Sequence, residues 1–172
     1  IGGAFCFPDA NKGTLNVCNP LGLNYEKRSR VVLTVQVSDN GSPILKDTTS
    51  VTILVADLNE APVFLSTDRE VNENSVEGST VGEPVTAIDV DEGDQSTLHY
   101  TIQNSTGSPN FMIDEKRGQI YVSATGAEEG ALNFERISNY TLKIKVRDYM
   151  GLSDVGEVFV IVRDVNEKPI VP

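Results

Sequence analysis

Acidic side chains carry most of the chemistry this sequence could do, and they are not scattered evenly. Residues 57–64 read DLNEAPVF and residues 164–170 read DVNEKPI. The pattern Asp-x-Asn-Glu-x-Pro-hydrophobic therefore occurs twice in 172 residues. Further acids stand at Glu26, Glu73, Asp89, Asp91, Glu135 and Asp148, several of them beside predicted strand ends. Asp89 and Asp91 alternate, and alternate residues of an extended strand point the same way, so the pair can chelate one ion. Carboxylates, Asn oxygens and backbone carbonyls, roughly six to eight together, are what Ca2+ takes. Zinc would draw on His or Cys, and the chain has one His and two Cys at unrelated positions. Mg2+ would use fewer protein oxygens and more water. Any single acid near a turn is explained as well by solvation at a strand end. Recurrence of the set at one period favours ligation.

The elements that position these acids are strands. The dominant periodicity is two, not 3.6. VVLTVQVSD (31–39), TTSVTILVAD (48–57), YTLKIKVRD (140–148) and GEVFVIVRD (156–164) alternate and are rich in Val, Ile and Thr. Gly41-Ser42-Pro43 and YMGLSD (149–154) separate such runs as turns. AFCF, GTLNV, FMID and GQIYV are shorter strand candidates. Many short strands between turns predict an all-β antiparallel sandwich.

Self-similarity organises the chain. Phe5 precedes Phe111 by 106 residues, Gly13 precedes Gly118 by 105, and LNYE (23–26) precedes LNFE (132–135) by 109. Asp39 and Asp148 are 109 apart, and Asp57 and Asp164 are 107 apart. The order is kept, and loop-length changes account for the drift. The repeat is about 107 residues, one small sandwich. Residues 65–110 have no upstream counterpart. The expected organisation is the C-terminal part of a repeat over 1–60, a complete repeat over 61–166, and the start of a linker to a following repeat over 167–172. A sandwich lacking its first strands leaves open edges, so the chain is expected to be a piece of a longer protein or to receive strands from elsewhere.

The net charge of −11 argues against nucleic-acid and anionic-membrane partners. No apolar run reaches the roughly 18–20 residues of a transmembrane helix, and any targeting segment is expected outside this chain. Cys6 and Cys18 flank PDANKG (8–13), a strong turn signal. A hairpin centred near residue 12 would set Cys6 opposite Cys18, where a disulfide is geometrically allowed. A pair of buried thiols is the alternative. Asn40-Gly41-Ser42, Asn104-Ser105-Thr106 and Asn139-Tyr140-Thr141 are glycosylation sequons. Pro43 disfavours the first, leaving Asn104 and Asn139 as the better candidates. Sequons and a disulfide would both suit an oxidising compartment.

Jointly these stretches resemble cadherin repeats. VNENS is similar to the family's x-Glu-x motif and DVD to its Asp-x-Asp motif. LHYTI, FMID, GQIYV and LNFE resemble its central strands and its Leu-Asp-Arg-Glu segment. VRD resembles its strand-terminal Asp, and DLNEAPVF its Asp-x-Asn-Asp-Asn-x-Pro linker. The resemblance covers nearly all of the chain. It implies a Greek-key seven-strand sandwich, with tandem repeats joined end to end through Ca2+ sites. Carried over by position, it implies a first linker site of Glu26, Asp57, Asn59, Glu60, Asp89, Asp91 and Asp148, with carbonyls of Ala61 and Gln95. A second, incomplete linker site would use Glu73, Glu135, Asp164, Asn166 and Glu167. Asn24 and Asn133 stand where the family has Asp, Glu60 and Glu167 where it has the second linker Asp, and Ala61 and Lys168 where it has the final linker Asn.

The function implied is that of a calcium-binding extracellular or cell-surface module. It would act in cell adhesion or as a Ca2+-rigidified spacer, with adjacent repeats and a homophilic or heterophilic protein as partners. The chain has no Trp, so it matches poorly those cadherins that exchange an N-terminal strand through that residue. A structural filament subunit assembled by strand sharing is the second reading. Catalysis is not expected. No nucleophile–base set, phosphate loop or zinc motif is present, and His99 in LHYTI reads as a packed or surface residue.

Overall fold

In a computed structural model, residues 3–65, 68–91, 93 and 97–168 are described. The chain divides into two compact units, Ile1–Leu58 and Asn59–Pro172.

In the first unit β1 (Phe5–Cys6) pairs antiparallel with β2 (Asn16–Val17), and a 3-10 turn covers Pro20–Gly22. Cys6 and Cys18 are joined by a disulfide with 5.9 Å between their Cα atoms. The strand register differs from the expected one. Cys6 faces Asn16, and the Cys18 N–H donates to the Ala4 carbonyl at 2.8 Å. The turn is centred on residue 11, one earlier than expected, because Asp9 accepts the Asn11 N–H at 3.0 Å and the Lys12 N–H on its carbonyl. The two alternating runs form a long antiparallel hairpin, β3 (Arg30–Ser38) with β4 (Lys46–Leu54), in the register Arg30↔Leu54 to Ser38↔Lys46. Asp39 closes its loop, accepting the Gly41 and Leu45 N–H groups on one oxygen.

The second unit repeats that hairpin and adds a core to it. Here β11 (Asn139–Arg147) pairs with β12 (Ser153–Arg163) from Asn139↔Ile161 to Arg147↔Ser153. These are the same ladders moved along the chain by 109 and 107 residues. β6 (Arg69–Asn72) lies parallel to β12, and β8 (His99–Gln103) antiparallel to β11, giving the sheet order β6-β12-β11-β8. β5 (Val63–Leu65) pairs with β7 (Thr86–Ile88), and β9 (Phe111–Ile113) with β10 (Ile120–Val122). The described part of this unit thus has eight strand segments rather than seven. The first stretch supplies two of them, because β5 is hydrogen-bonded to β7 and β6 to β12. No α-helix occurs among the described residues.

The alternation sets which face of β11 and β12 is covered. Leu142, Ile144 and Val146 on β11 and Val158, Val160 and Val162 on β12 are fully buried. They pack with Phe64, Val85, Leu98, Phe111 and Ile120. Each such side chain contributes about 1.5–3 kcal/mol on leaving water. Two contacts lock the layers. Gly156 leaves room for the Phe64 ring, and a Cβ there would sit 1.8 Å from its Cδ1. Arg69, buried, donates to the carbonyls of Glu83 and Pro84 and so anchors the segment that leads into β7. At equivalent positions of the first unit, Val31 is buried, Leu33 and Val35 are half-buried, and Val37 is 66% exposed. The same pattern forms the same ladder in both units, and among the described residues only the second has strands that bury the whole of its inner face.

Candidate metal centre

The strand order of the second unit separates its acids into two poles. β11 and β12 are antiparallel, so Asp148, following β11, lies at the start of β12, whereas Asp164 follows its end. Eleven residues of β12 put roughly 35 Å between these ends.

At the first pole, Asp148 is fully buried. One of its oxygens accepts the Gly151 and Leu152 N–H groups, at 2.5 and 2.9 Å, and closes the β11–β12 turn. The other accepts Asn59 Nδ2 at 2.8 Å. The role of Asp39 in its own hairpin loop is the same, which the 109-residue offset foreshadows. Asn59 also donates to the Glu60 carbonyl at 3.0 Å, while its side-chain oxygen has no hydrogen bond among the described residues. The Glu60 N–H donates to Asp91 Oδ2 at 3.0 Å, and carboxylate oxygens of Glu60 and Asp91 lie within 4.8 Å of each other. The Asp91 N–H donates to Asp89 Oδ1 at 3.2 Å. Asp89 is buried, and desolvation pushes its carboxyl above the usual range. The neighbouring charges of Asp91 and Asp148 push the same way. Asp91 Oδ1 is buried with no hydrogen-bond partner among the described residues.

At the second pole, Glu73 follows β6 and is almost fully buried. The parallel β6–β12 pairing carries it beside the end of β12, where its N–H donates to the Arg163 carbonyl. Its two oxygens accept the Phe134 N–H at 2.8 Å and the Val165 N–H at 2.7 Å. These bonds, that to Val165 foremost, hold its carboxyl below the usual range. Glu73, Glu135 and Asp164 each place a carboxylate oxygen within 4.8 Å of the others. No Lys or Arg forms an ion pair with any of the three among the described residues. Glu167 accepts Asn74 Nδ2 at 2.6 Å, and Asn166 is exposed with no hydrogen bond among the described residues.

In the first unit Glu26 and Asp57 are exposed, with carboxylate oxygens within 4.8 Å of each other. The Asn24 amide donates to Glu26 Oε2 at 2.8 Å, and its oxygen accepts the Lys27 N–H. Asn133 accepts the Arg136 N–H in the same way. Asn therefore serves at both positions as the turn-forming acceptor that an Asp would be. Gln95 and Pro169 lie outside the described residues.

Two residues that shape the poles escaped the sequence reading. Asn74 has φ +55 and supports Glu167; Asn in a stretch of turn-formers is the available signal, since Asn tolerates that region. Asp154 accepts the Phe64 N–H at 2.9 Å and ties β5 to the start of β12, with nothing in its sequence context to mark it. His99 is half-buried, with Nδ1 2.9 Å from Glu115 Oε1.

The donor set fits a hard cation. It is all oxygen, and at Asp91 it includes a buried oxygen that accepts no hydrogen bond from the described residues. Grouped carboxylates repel one another, and a bound dication removes that repulsion.

Comparison with known proteins gives one family. The family described as "Cadherin domain" matches residues 67–163. Protocadherin beta-1 of Homo sapiens is 35% identical over 152 residues, which cover 86% of this chain and 18% of that protein. Cadherin EGF LAG seven-pass G-type receptor 3 of Mus musculus is 32% identical over 165 residues, 92% of this chain and 5% of that one. Among solved structures, extracellular cadherin domains 1–4 of Protocadherin Gamma B7 superpose with a TM-score of 0.68 at 27% identity, covering 88% of this chain and 36% of theirs. A structure titled as the protocadherin gammaB7 EC3-6 cis-dimer gives 0.65 at 27% identity, covering 87% of this chain and 36% of that one. The chain thus spans less than a fifth of these sequence relatives.

Proposed function

The chain belongs to the cadherin domain family, and from that premise we propose that it is a calcium-binding repeat module of an extracellular or cell-surface adhesion protein. The observation that carries the calcium reading is the convergence of Glu73, Glu135 and Asp164 within 4.8 Å with no ion-paired Lys or Arg among the described residues. Asn166 and Glu167 are proposed to complete that donor set. Asn59, Glu60, Asp89, Asp91 and Asp148 form the set at the other pole. Glu26 and Asp57 are added to it on the family resemblance alone. A bound Ca2+ supplies fixed positive charge that holds the carboxylates of a joint together. Within this chain, Glu73 and Asp148 brace the poles through backbone hydrogen bonds, while Asp91, Glu135 and Asp164 offer less committed oxygens. The repeat boundaries proposed are 1–60, 61–166 and a linker from 167. The partners are adjacent repeats and a protein on an opposing or neighbouring molecule. The module acts mechanically, and no catalytic role is assigned. No observation favours the filament reading.

Equilibrium dialysis tests this. The chain is expected to bind Ca2+ with dissociation constants of about 10⁻⁴–10⁻³ M, to bind Mg2+ more weakly, and to lose one class of sites in the double variant E135Q/D164N. No Ca2+ bound at about 10 mM, or undiminished binding in that variant, overturns the assignment.

A further inference from the structure

We infer that this chain is N-glycosylated at Asn104 and Asn139 and not at Asn40, and that both sugars stand at one end of the four-stranded sheet of the second unit. The inference does not rest on calcium. It begins with the Cys6–Cys18 disulfide, which belongs to an oxidising compartment. That is also where sequons meet the modifying machinery. All three sequon asparagines are exposed, so exposure does not choose among them.

Local chemistry chooses. Ser42, the hydroxyl residue of the first sequon, is followed by Pro43, and the ring restricts the backbone on which the hydroxyl must turn toward Asn40. Asn104 lies in a bend just past β8, its side chain makes no hydrogen bond among the described residues, and Thr106 is exposed as well. Asn139 is the outward-facing first residue of β11, and its amide donates only to the neighbouring Ser138 hydroxyl at 3.1 Å. Tyr140 between Asn139 and Thr141 points inward, so the alternation of the strand puts both polar sequon residues on the outer side.

The transfer is balanced with a lipid-linked oligosaccharyl pyrophosphate as co-reactant. The amide nitrogen attacks the anomeric carbon, a C–N bond forms and the C–O bond to pyrophosphate breaks. The lipid pyrophosphate leaves with the electron pair, and the amide loses one proton.

The fold decides what the sugars cover. Gln103 pairs with Lys143, which puts Asn104 beside the third residue after Asn139, about 10 Å away along the strand. Asp148 is nine residues from Asn139 along nearly straight strand, about 30 Å. The glycans therefore shield the β8–β11 end of the sheet and leave the Asn59, Asp91 and Asp148 pole open.

The test is expression of the whole 172-residue chain behind a secretion signal in eukaryotic cells. Intact mass is read before and after peptide-N-glycosidase in heavy-oxygen water, on chain from cell lysate as well as medium, so that chain retained in the cell is counted too. Two glycans are expected, with heavy-oxygen Asp at 104 and 139. One glycan should be lost in N104Q or T106A, one in N139Q or T141A, and none in N40Q. T106A and T141A keep the asparagines, so a loss there identifies the sequon. A chain of unmodified mass, a glycan absent from either assigned position, or a glycan lost in N40Q overturns the inference.

Discussion

Replacing Asp91 by Asn should move the calcium-free and calcium-loaded melting temperatures in opposite directions. An amide oxygen at that position still accepts the Glu60 N–H, a 3.0 Å bond in the native chain, so the local backbone is kept. The change removes one negative charge beside Asp89, whose carboxyl is already pushed up by desolvation and by Asp91 and Asp148. Without Ca2+ the variant is therefore expected to melt at the native temperature or slightly above it. With Ca2+ it loses a donor. At about 10 mM Ca2+ and dissociation constants of 10⁻⁴–10⁻³ M, binding stabilises the native chain by about 1.4–2.7 kcal/mol. A unit of roughly 110 residues has an unfolding entropy near 0.23 kcal/mol/K, so that stabilisation corresponds to a rise of about 6–12 °C. In D91N the share of the rise that comes from this pole should fall to about 2 °C or less, while the Glu73, Glu135 and Asp164 pole keeps its own share. Differential scanning calorimetry in chelator and in Ca2+ reads all four states. Two outcomes would refute the reasoning: a calcium-dependent rise in D91N equal to the native one, or a calcium-free variant that melts clearly lower.

Three further predictions follow from the same geometry. G156A pushes a Cβ into the Phe64 ring and should destabilise the second unit by about 1–3 kcal/mol, seen as a lower denaturant midpoint at unchanged slope; an unchanged midpoint would show that the ring moves freely. Between pH 3 and 7, in chelator, Glu73 and Asp89 should act with opposite signs. The lowered Glu73 pKa contributes stability that is present above its unfolded value and lost as pH falls through its folded value. The raised Asp89 pKa means that stability declines as pH rises through its folded value. E73Q should flatten the acid limb of the stability–pH curve and D89N the neutral limb, and the reverse assignment would contradict the hydrogen bonds described. Hydrogen exchange should be slow for residues 140–146 and much faster for residues 33–37, because among the described residues the inner face of the former ladder is fully covered and that of the latter only in part; equal protection would mean that the hairpin alone supplies the stability.

Much of this molecule was legible in the sequence, for reasons of period and chemistry. Val, Ile and Leu at every second position specify a strand with one apolar face whatever lies on it, so β3, β4, β11 and β12 were all foreseeable. Matches such as LNYE with LNFE fixed the repeat length because insertions alter loops more readily than ladders. The type of donor is a property of the sequence as well, since acids and Asn at strand ends offer oxygen and no nitrogen or sulfur, which is why the cation proposed is a hard one. What required the tertiary structure was long-range pairing. Only the parallel β6–β12 contact brings Glu73 to Val165, 92 residues away, and to the neighbourhood of Asp164. Only the strand order sends Asp148 and Asp164 to opposite ends of one sheet. The division of labour among the acids was also hidden, because a sequence names carboxylates without saying which of their oxygens already hold backbone N–H groups. Val37 and Val146 occupy the same place in the repeat, yet one is 66% exposed and the other fully buried. Local pattern determines that such a residue faces inward, and the presence of covering strands decides whether that face is dry.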